Sequence, residues 1–489
     1  MPGVVVNTAV RSAPTATNIA PASTFFVAGT SKRGPLDVAR MVRSLEAFKS
    51  IYGGYDVNFT LYQQLQTFFE EGGAQAYVVR VSNAQDVGVL DLLDDEDVAA
   101  LTLTAANAGA WSDNLTVSST DSLTSVGKFT VRLYDDGILV YSTDLVTAAS
   151  QVTEKINTSQ VAKLYVTAST SNASATLAEV SEVPLDGGEE ADPIEDALVD
   201  ADYIDALELF DIAYGAGAVS IPGQFSATVY EAILEHGSVN NRIALLGLDP
   251  SFTTVLQAEN AIAAVRELPD SANAAFYYPY VTIPAAGGVT LTIPPEGYVA
   301  AKRSKAHNEY GAWQAAAGII SVGNFVTGIS VATPKPFGDS LDEAGINAIR
   351  IIQNTVRIYG ARSASTDADN FRYITARDTL NYIASEANRS LEDLVFSTID
   401  GRRSVFGRVE ARLINILEPI RSAGGLYEGF ADDGRQIDAG YSVEVSDALN
   451  PITQLAEGIV KAKVGVRVSS VGDRIEIDVI KSNLTSSVV

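Results

Sequence analysis

The sequence predicts a multidomain protein of α/β and α+β class: an α/β middle domain that carries an inserted β-domain, followed by a C-terminal α+β domain. Three observations point there. Apolar strand-like runs alternate with helix-spaced segments over 23–97 and again over 200–345, as in βα units. Between them, over 98–199, short alternating strands take over. At 489 residues the chain has room for roughly two to four domains with sizeable cores.

In chain order, residues 1–22 come first. Val4, Val5 and Val6 in "MPGVVVNTAV" are β-branched and strand-forming, but "RSAPTATNIAPAS" separates them from the next apolar run. They form an extended arm without a hairpin partner nearby. "TFFVAGTSKRGP" then reads as a buried strand ending in a turn. "SLEAFKSIYGGY" (44–55) and "FTLYQQLQTFFEEGG" (59–73) carry helical spacing, with Leu61, Leu65, Phe68 and Phe69 on one face and Gly72 and Gly73 as the stop. "AQAYVVRV" is the next strand, and "DLLDDEDVAA" marks a boundary. Beyond it lie "LTLTAAN", "NLTVSST", "KFTVRLYDDGILVYSTDLV" and "KLYVTAST", with "DDG" at 135–137 as a hairpin turn. From 200 the α/β character returns with "DYIDALELF", "RIALLGL", "VLQAENAIAAVREL" and "AAFYYPYVTIP". The last domain, 346–489, opens on "INAIRIIQNTVRIYGARS". It contains a helix whose apolar stripe is Val405, Val409, Leu413 and Ile416, with Arg408 and Arg412 four apart on another face. It closes on "YSVEVSD", "GIVKAKVGVRVSS" and "DRIEIDVIKS", where Ile475, Ile477 and Val479 alternate with charged residues. The chain thus begins and ends in a strand without an obvious local partner.

Composition excludes more than it selects. An apolar content of 46% with 19% charged residues is that of a globular protein. The absence of cysteine removes disulfides and thiolate chemistry. The only histidines, His236 and His307, have no partner set that would identify a triad or a metal site. "GTSKRGPL" places Gly29 and Gly34 at P-loop spacing, but Pro35 and Leu36 stand where Lys and Ser/Thr are needed, so it reads as a turn. "YGAGAVSIPG" lacks the third glycine of a dinucleotide loop, and no Gly-x-Ser-x-Gly elbow occurs. Asp94, Asp95, Glu96 and Asp97 lack calcium-loop spacing. The expectation is a protein that is not an enzyme, uses no cofactor and works by assembly. No signal peptide is expected. The uncharged run Tyr310–Pro334 reads as buried core, since polar residues and four glycines break its apolarity.

Charge is unevenly spread. Residues 1–80 carry 7 basic and 5 acidic groups, residues 81–300 carry 6 and 32, and residues 301–489 carry 21 and 23. The net charge of −26 therefore resides in the middle of the chain. This argues against direct nucleic-acid binding and for a middle that faces solvent while the balanced ends face other protein.

Several blocks taken together resemble the tail sheath proteins of contractile-tailed bacteriophages, a family shared with phage-tail-like bacteriocins. "PGVVV" is similar to that family's opening Pro-Gly-Val-Tyr-Val. "STFFVAGTSKRGP", "SLEAFKSIYGG" and "FFEEGGAQAYVVRV" resemble its next blocks in order. "AGAWSDNLTV" is similar to its Gly-Trp-Gly-Asn segment, with Ser112 and Asp113 intervening. "AAFYYPYVTI" and "IPPEGYVAAKRSKAHNEYGAWQAAAG" resemble its Tyr-Tyr-Pro-Trp and Pro-Pro-Ser-Gly blocks, with Tyr280 for Trp and Glu296 for Ser. "IYGARS", with Ser363 where Thr is usual, "FRYITARDTLNYI" and "ALNPITQLAEGIVKAKVGV" resemble the C-terminal blocks.

The resemblance implies a helical homo-oligomer wrapped around an inner tail tube protein, bounded by baseplate and tail terminator proteins. It implies contraction that drives the tube through a bacterial envelope for genome delivery, in a virion assembled in the host cytoplasm, with no membrane insertion by this chain. It implies that Val4, Val5, Val6, Ile475, Ile477 and Val479 exchange strands between subunits and complete the C-terminal, inner domain, with the insert outside. Arg408 and Arg412 are the candidate tube contact. A phage-tail-like bacteriocin or injection particle without a genome is the alternative. A non-contractile surface-layer or fibre subunit is the alternative of another class, and a nucleotide-binding α/β enzyme would need the phosphate loop the sequence lacks.

Overall fold

A computed structural model describes residues 22–190, 197–285, 288–475 and 477 and builds them around an eight-stranded sheet. The strands lie in the order Thr355–Ile358, Ile346–Ile352, Ala274–Tyr278, Arg242–Gly247, Gly217–Ser220, Thr24–Gly29, Ala76–Arg80, Arg40–Val42. The inner six are parallel and both edge strands are antiparallel. Parallel strands need crossovers, and the helices that supply them cover both faces. Thr24–Gly29 shows the consequence: Phe25 and Val27 enter one core, Phe26 and Ala28 the other, so the whole strand is buried. On the first face lie helices Leu45–Tyr52, Leu61–Glu70 and Glu296–Glu309. On the second lie Asp200–Glu208, Ala227–Val239, Val255–Arg266 and Lys335–Glu343.

The insert has its own core of Leu101, Trp111, Leu115, Phe129 and Val152, between two small antiparallel sheets and helix Ala149–Thr158. One sheet joins Val89–Leu93, Ala99–Ala105 and Val166–Thr170; the other joins Val180–Pro184, Leu115–Asp121, Phe129–Asp135 and Ile138–Ser142. Asp136 and Gly137 form the two-residue turn between paired Asp135 and Ile138, with positive φ at both, as the "DDG" signal requires. The unit starts earlier than residue 98. Val89–Leu93 is an edge strand, mostly exposed and followed by four acids, so its composition resembles a linker. Val89 and Asp186 pair in a β-bridge, which brings the two ends of the insert together.

The boundary at 346 also moves. Ile346–Ile352 and Thr355–Ile358 form a hairpin that completes the large sheet, with Gln353 and Asn354 at positive φ in the turn. Nothing local to the hairpin reveals that its sheet partner, Ala274–Tyr278, lies far upstream. Beyond it, helices Ile374–Leu391 and Ser404–Ser422 pack together and against the two-stranded sheet Tyr441–Glu444/Lys463–Val466. The Tyr310–Pro334 run is only partly core. It is an irregular connector in which Ala312, Ala315 and Val326 are buried while Ile319 is 72% exposed. No helix among the described residues is long and apolar enough to cross a membrane.

Candidate assembly interface

Helix Glu296–Glu309 is charged on several faces yet almost wholly buried, because helices lie on either side of it. On one side Gly297 lets it approach helix Leu61–Glu70, where a Cβ would stand 2.6 Å from the Gln64 carbonyl oxygen. Here Lys302 meets Glu71 at 2.5 Å, both fully buried. The Glu71 carboxylate also accepts the backbone N–H groups of Asn324, Phe325 and Val326. Burial lowers the Lys302 pKa, and the Glu71 partner opposes that shift. On the other side Arg303 grips Asp378 of helix Ile374–Leu391 with two guanidinium nitrogens. Its third, Nη1, donates to the Ala22 carbonyl at 2.8 Å. Ala22 is the first described residue, packed with Ala216 and Ala312. The point where the N-terminal segment joins the fold is therefore held by a buried Arg–Asp pair.

The second feature is the sheet Tyr441–Glu444/Lys463–Val466. Its inner face packs Val443 and Val464 against helix Ser404–Ser422. Arg467 donates its N–H to Gly440 O. By the alternation of an antiparallel ladder, the N–H and C=O groups of Tyr441, Val443, Val464 and Val466 therefore point to the two outer edges. No further strand pairs with either edge among the described residues. A two-stranded sheet is marginal alone, and this one is backed by a helix and leaves main-chain donors and acceptors unpaired along both edges among the described residues.

The residues singled out by sequence are spread over these features. Val4, Val5, Val6 and Val479 lie outside the described residues. Ile475 and Ile477 are 86% and 78% exposed and belong to no strand among the described residues. Arg408 and Arg412 do not form one free basic face: Arg408 is exposed, while Arg412 makes a bidentate pair with Asp393 and donates to Ser390 O. Sequence reasoning missed Glu71, Lys302, Arg303 and Asp378. Their pairings span 231 and 75 residues and leave no local pattern.

The glycine turn and both histidines pack into the fold. Gly34, at φ +117°, closes the "GTSKRGPL" turn against the Tyr52 ring, and Arg33 lies over the Trp111 and Tyr165 rings of the insert. His236 is pushed down to about 4 by burial and by neighbouring Arg242. Burial and Arg303 hold His307 well below the ordinary histidine range, beside a cavity of about 10 Å³. No group of three or more potential metal ligands occurs among the described residues.

No family model matches the chain, and no curated protein matches it in sequence. Solved structures do match in fold. A chain of the anti-feeding prophage baseplate, seen by cryo-EM, aligns with a TM-score of 0.57 at 17% identity, covering 99% of both chains. The sheath of the extracellular contractile injection system PVC, in its contracted state, gives 0.58 at 15% identity, covering 99% of this chain and 98% of that one. A sheath tail protein from Listeria innocua gives 0.62 at 13% identity, covering 87% and 89%. The chain thus has the fold of contractile sheath proteins over nearly its full length.

Proposed function

We propose that this chain is the structural subunit of a contractile sheath, polymerising helically around an inner tube and contracting to drive that tube through a bacterial envelope. The end-to-end agreement in fold with sheath chains carries the reading, since it spans the α/β domain, the insert and the C-terminal domain alike. The open-edged sheet supports it with a mechanism. Each subunit offers two edges, and its sequence supplies two strand-forming termini without local partners. Strands donated at residues 4–6 and 475–479 fill edges on neighbouring subunits, with main-chain hydrogen bonds for affinity and alternate apolar side chains for register. The acidic insert faces outward and the charge-balanced C-terminal domain faces the tube.

Electron microscopy of the purified chain, alone and with its tube protein, is the test. Hollow polymers of two lengths and diameters, extended and contracted, are expected. Flat lattices or solid fibres would instead select a surface-layer or fibre subunit. The cargo is read from the same particles: nuclease-protected DNA and a capsid mark a virion that delivers a genome, and bare tails mark a bacteriocin or injection particle. Within this reading Arg408 is the tube-facing cation, because Arg412 is already neutralised by Asp393. Arg408→Glu should slow sheath growth on the tube at low salt, and wild-type growth there would remove Arg408 from the contact.

A further inference from the structure

A C-terminal segment that donates a strand, as the sheath reading has it, poses a problem of self-recognition. Strand Lys463–Val466 lies only a short loop upstream of Ile475, and its far edge is open among the described residues. A chain could therefore turn back and pair 475–479 with its own edge. Such a pairing is intramolecular, with an effective concentration of about 1 mM for a short linker. It would compete with any neighbour at micromolar concentration and close both donor and acceptor at once.

The structure shows what opposes this. Up to Ser469 the chain stays beside its own sheet, where Ser469 N–H bonds to Gly425 O at 3.0 Å and its hydroxyl donates to Gly424 O at 2.7 Å. Four residues later it reaches a different place, the start of helix Ile374–Leu391. Asp473 accepts there from the Tyr373 hydroxyl at 2.6 Å and meets Arg362 Nη2 at 3.3 Å. The receiving pair is itself held. Arg362 is mostly buried, pairs in a fork with Asp342 and lies 5.2 Å from the Tyr373 ring. Tyr373 is the N-cap residue of the helix, and Asp378, which holds the Arg303 anchor of Ala22, follows on its second turn. Both terminal segments thus join the fold on the first turns of one helix.

We infer that Asp473, Tyr373 and Arg362 form a latch that carries the C-terminal strand away from its own sheet and presents it to a neighbouring copy of this chain. The inference rests on the sheath reading for its purpose, not for its geometry. The latch residues are positioning residues, and Ile475 just beyond them is 86% exposed, ready for another surface. Charge-assisted bonds suit the role because they hold one geometry.

Hydrogen exchange on full-length monomers, paired with the critical concentration for polymerisation, tests the latch in Asp473→Ala and Tyr373→Phe. The second removes one hydroxyl and leaves the fold intact. In wild-type monomer the amides of 464, 466 and 475–479 should exchange freely. In Asp473→Ala they should gain protection, and the critical concentration should rise at least tenfold. Tyr373→Phe should raise it about fivefold, as loss of one hydrogen bond worth ~1 kcal/mol implies. Assembly of both variants at the wild-type concentration overturns the proposal. So does loss of assembly while these amides still exchange freely. Failure of the wild-type chain to form tubes would overturn the sheath reading instead, and the monomer exchange comparison would still judge the latch.

Discussion

Glu71→Gln isolates one buried charge. Lys302 would remain fully buried, 2.5 Å from an amide in place of a carboxylate. Removing one partner of a buried pair costs ~3–5 kcal/mol. A second route gives a similar figure. Lys302 can escape the penalty by folding neutral, which at pH 7.5 costs ~4 kcal/mol relative to an unfolded lysine of pKa 10.5, at 1.36 kcal/mol per unit. The sign with pH follows from that second route. In the variant the unfolded state binds the extra proton below pH 10.5, so variant stability rises with pH, by about 1.4 kcal/mol per unit between pH 7.5 and 10.5 relative to wild type. Denaturant unfolding of the monomer, read on Trp313 in a Trp111→Phe background, excludes the insert from the signal, because Trp111 lies in the insert core. Adding Lys302→Met should restore most of the loss. A loss below about 1 kcal/mol, or one that does not shrink as pH rises, would refute the argument that Lys302 carries a charge only because Glu71 is present.

Three further outcomes are expected. Glu296 is buried, its Oε2 has no hydrogen-bond partner among the described residues, and burial pushes it up to about 7 from 4.5. The folded state therefore binds the extra proton, and this group costs stability that accumulates as pH rises from 4.5 through 7, ~3 kcal/mol at most. Glu296→Gln should match wild type at pH 4 and exceed it at pH 8 in denaturation midpoint; equal midpoints at both would refute this. Replacing 90–185 with a short Gly/Ser bridge between the paired Val89 and Asp186 should leave the α/β sheet folded and still give tubes, of smaller diameter, by electron microscopy. Removing residues 1–20, or Val5→Pro, should give a folded monomer that does not polymerise, as judged by sedimentation. Ordering about six arm residues costs ~6–12 kcal/mol. Burying three valines would return ~1.5–3 kcal/mol each and about five ladder bonds ~1 kcal/mol each, so a single donated arm would bind weakly and a lattice would bind through many.

Where local chemistry decides structure, the sequence was readable. The all-apolar Thr24–Gly29 run is a central parallel strand. "DDG" is a two-residue hairpin turn. Helix Leu61–Glu70 ends where Gly72 and Gly73 donate back to Phe69 and Phe68 carbonyls, a stop the glycines announce. The apolar stripe Val405, Val409 and Leu413 is buried as its spacing requires. Arg408 and Arg412 mark the limit of such reasoning. Their spacing puts them near each other on one helix, but Asp393, at the end of the preceding helical segment, takes one of them out of play.

The buried charges were illegible for a deeper reason. "AAKRSKAHNEYG" has the composition of a solvent-exposed helix, and Glu71 sits at a helix end beside two glycines, where an exposed acid is the ordinary expectation. Both are buried because Glu296–Glu309 lies between elements from distant parts of the chain. Hydrophobic residues of similar volume could give as much stability there. They could also settle in several registers, whereas a guanidinium fork on Asp378 with its remaining nitrogen on Ala22 O has one. At the point where Ala22 enters the fold, that single geometry is what the costly buried charge supplies. A pattern that serves placement rather than burial carries no apolar periodicity, so it becomes visible only when the distant partners are brought together.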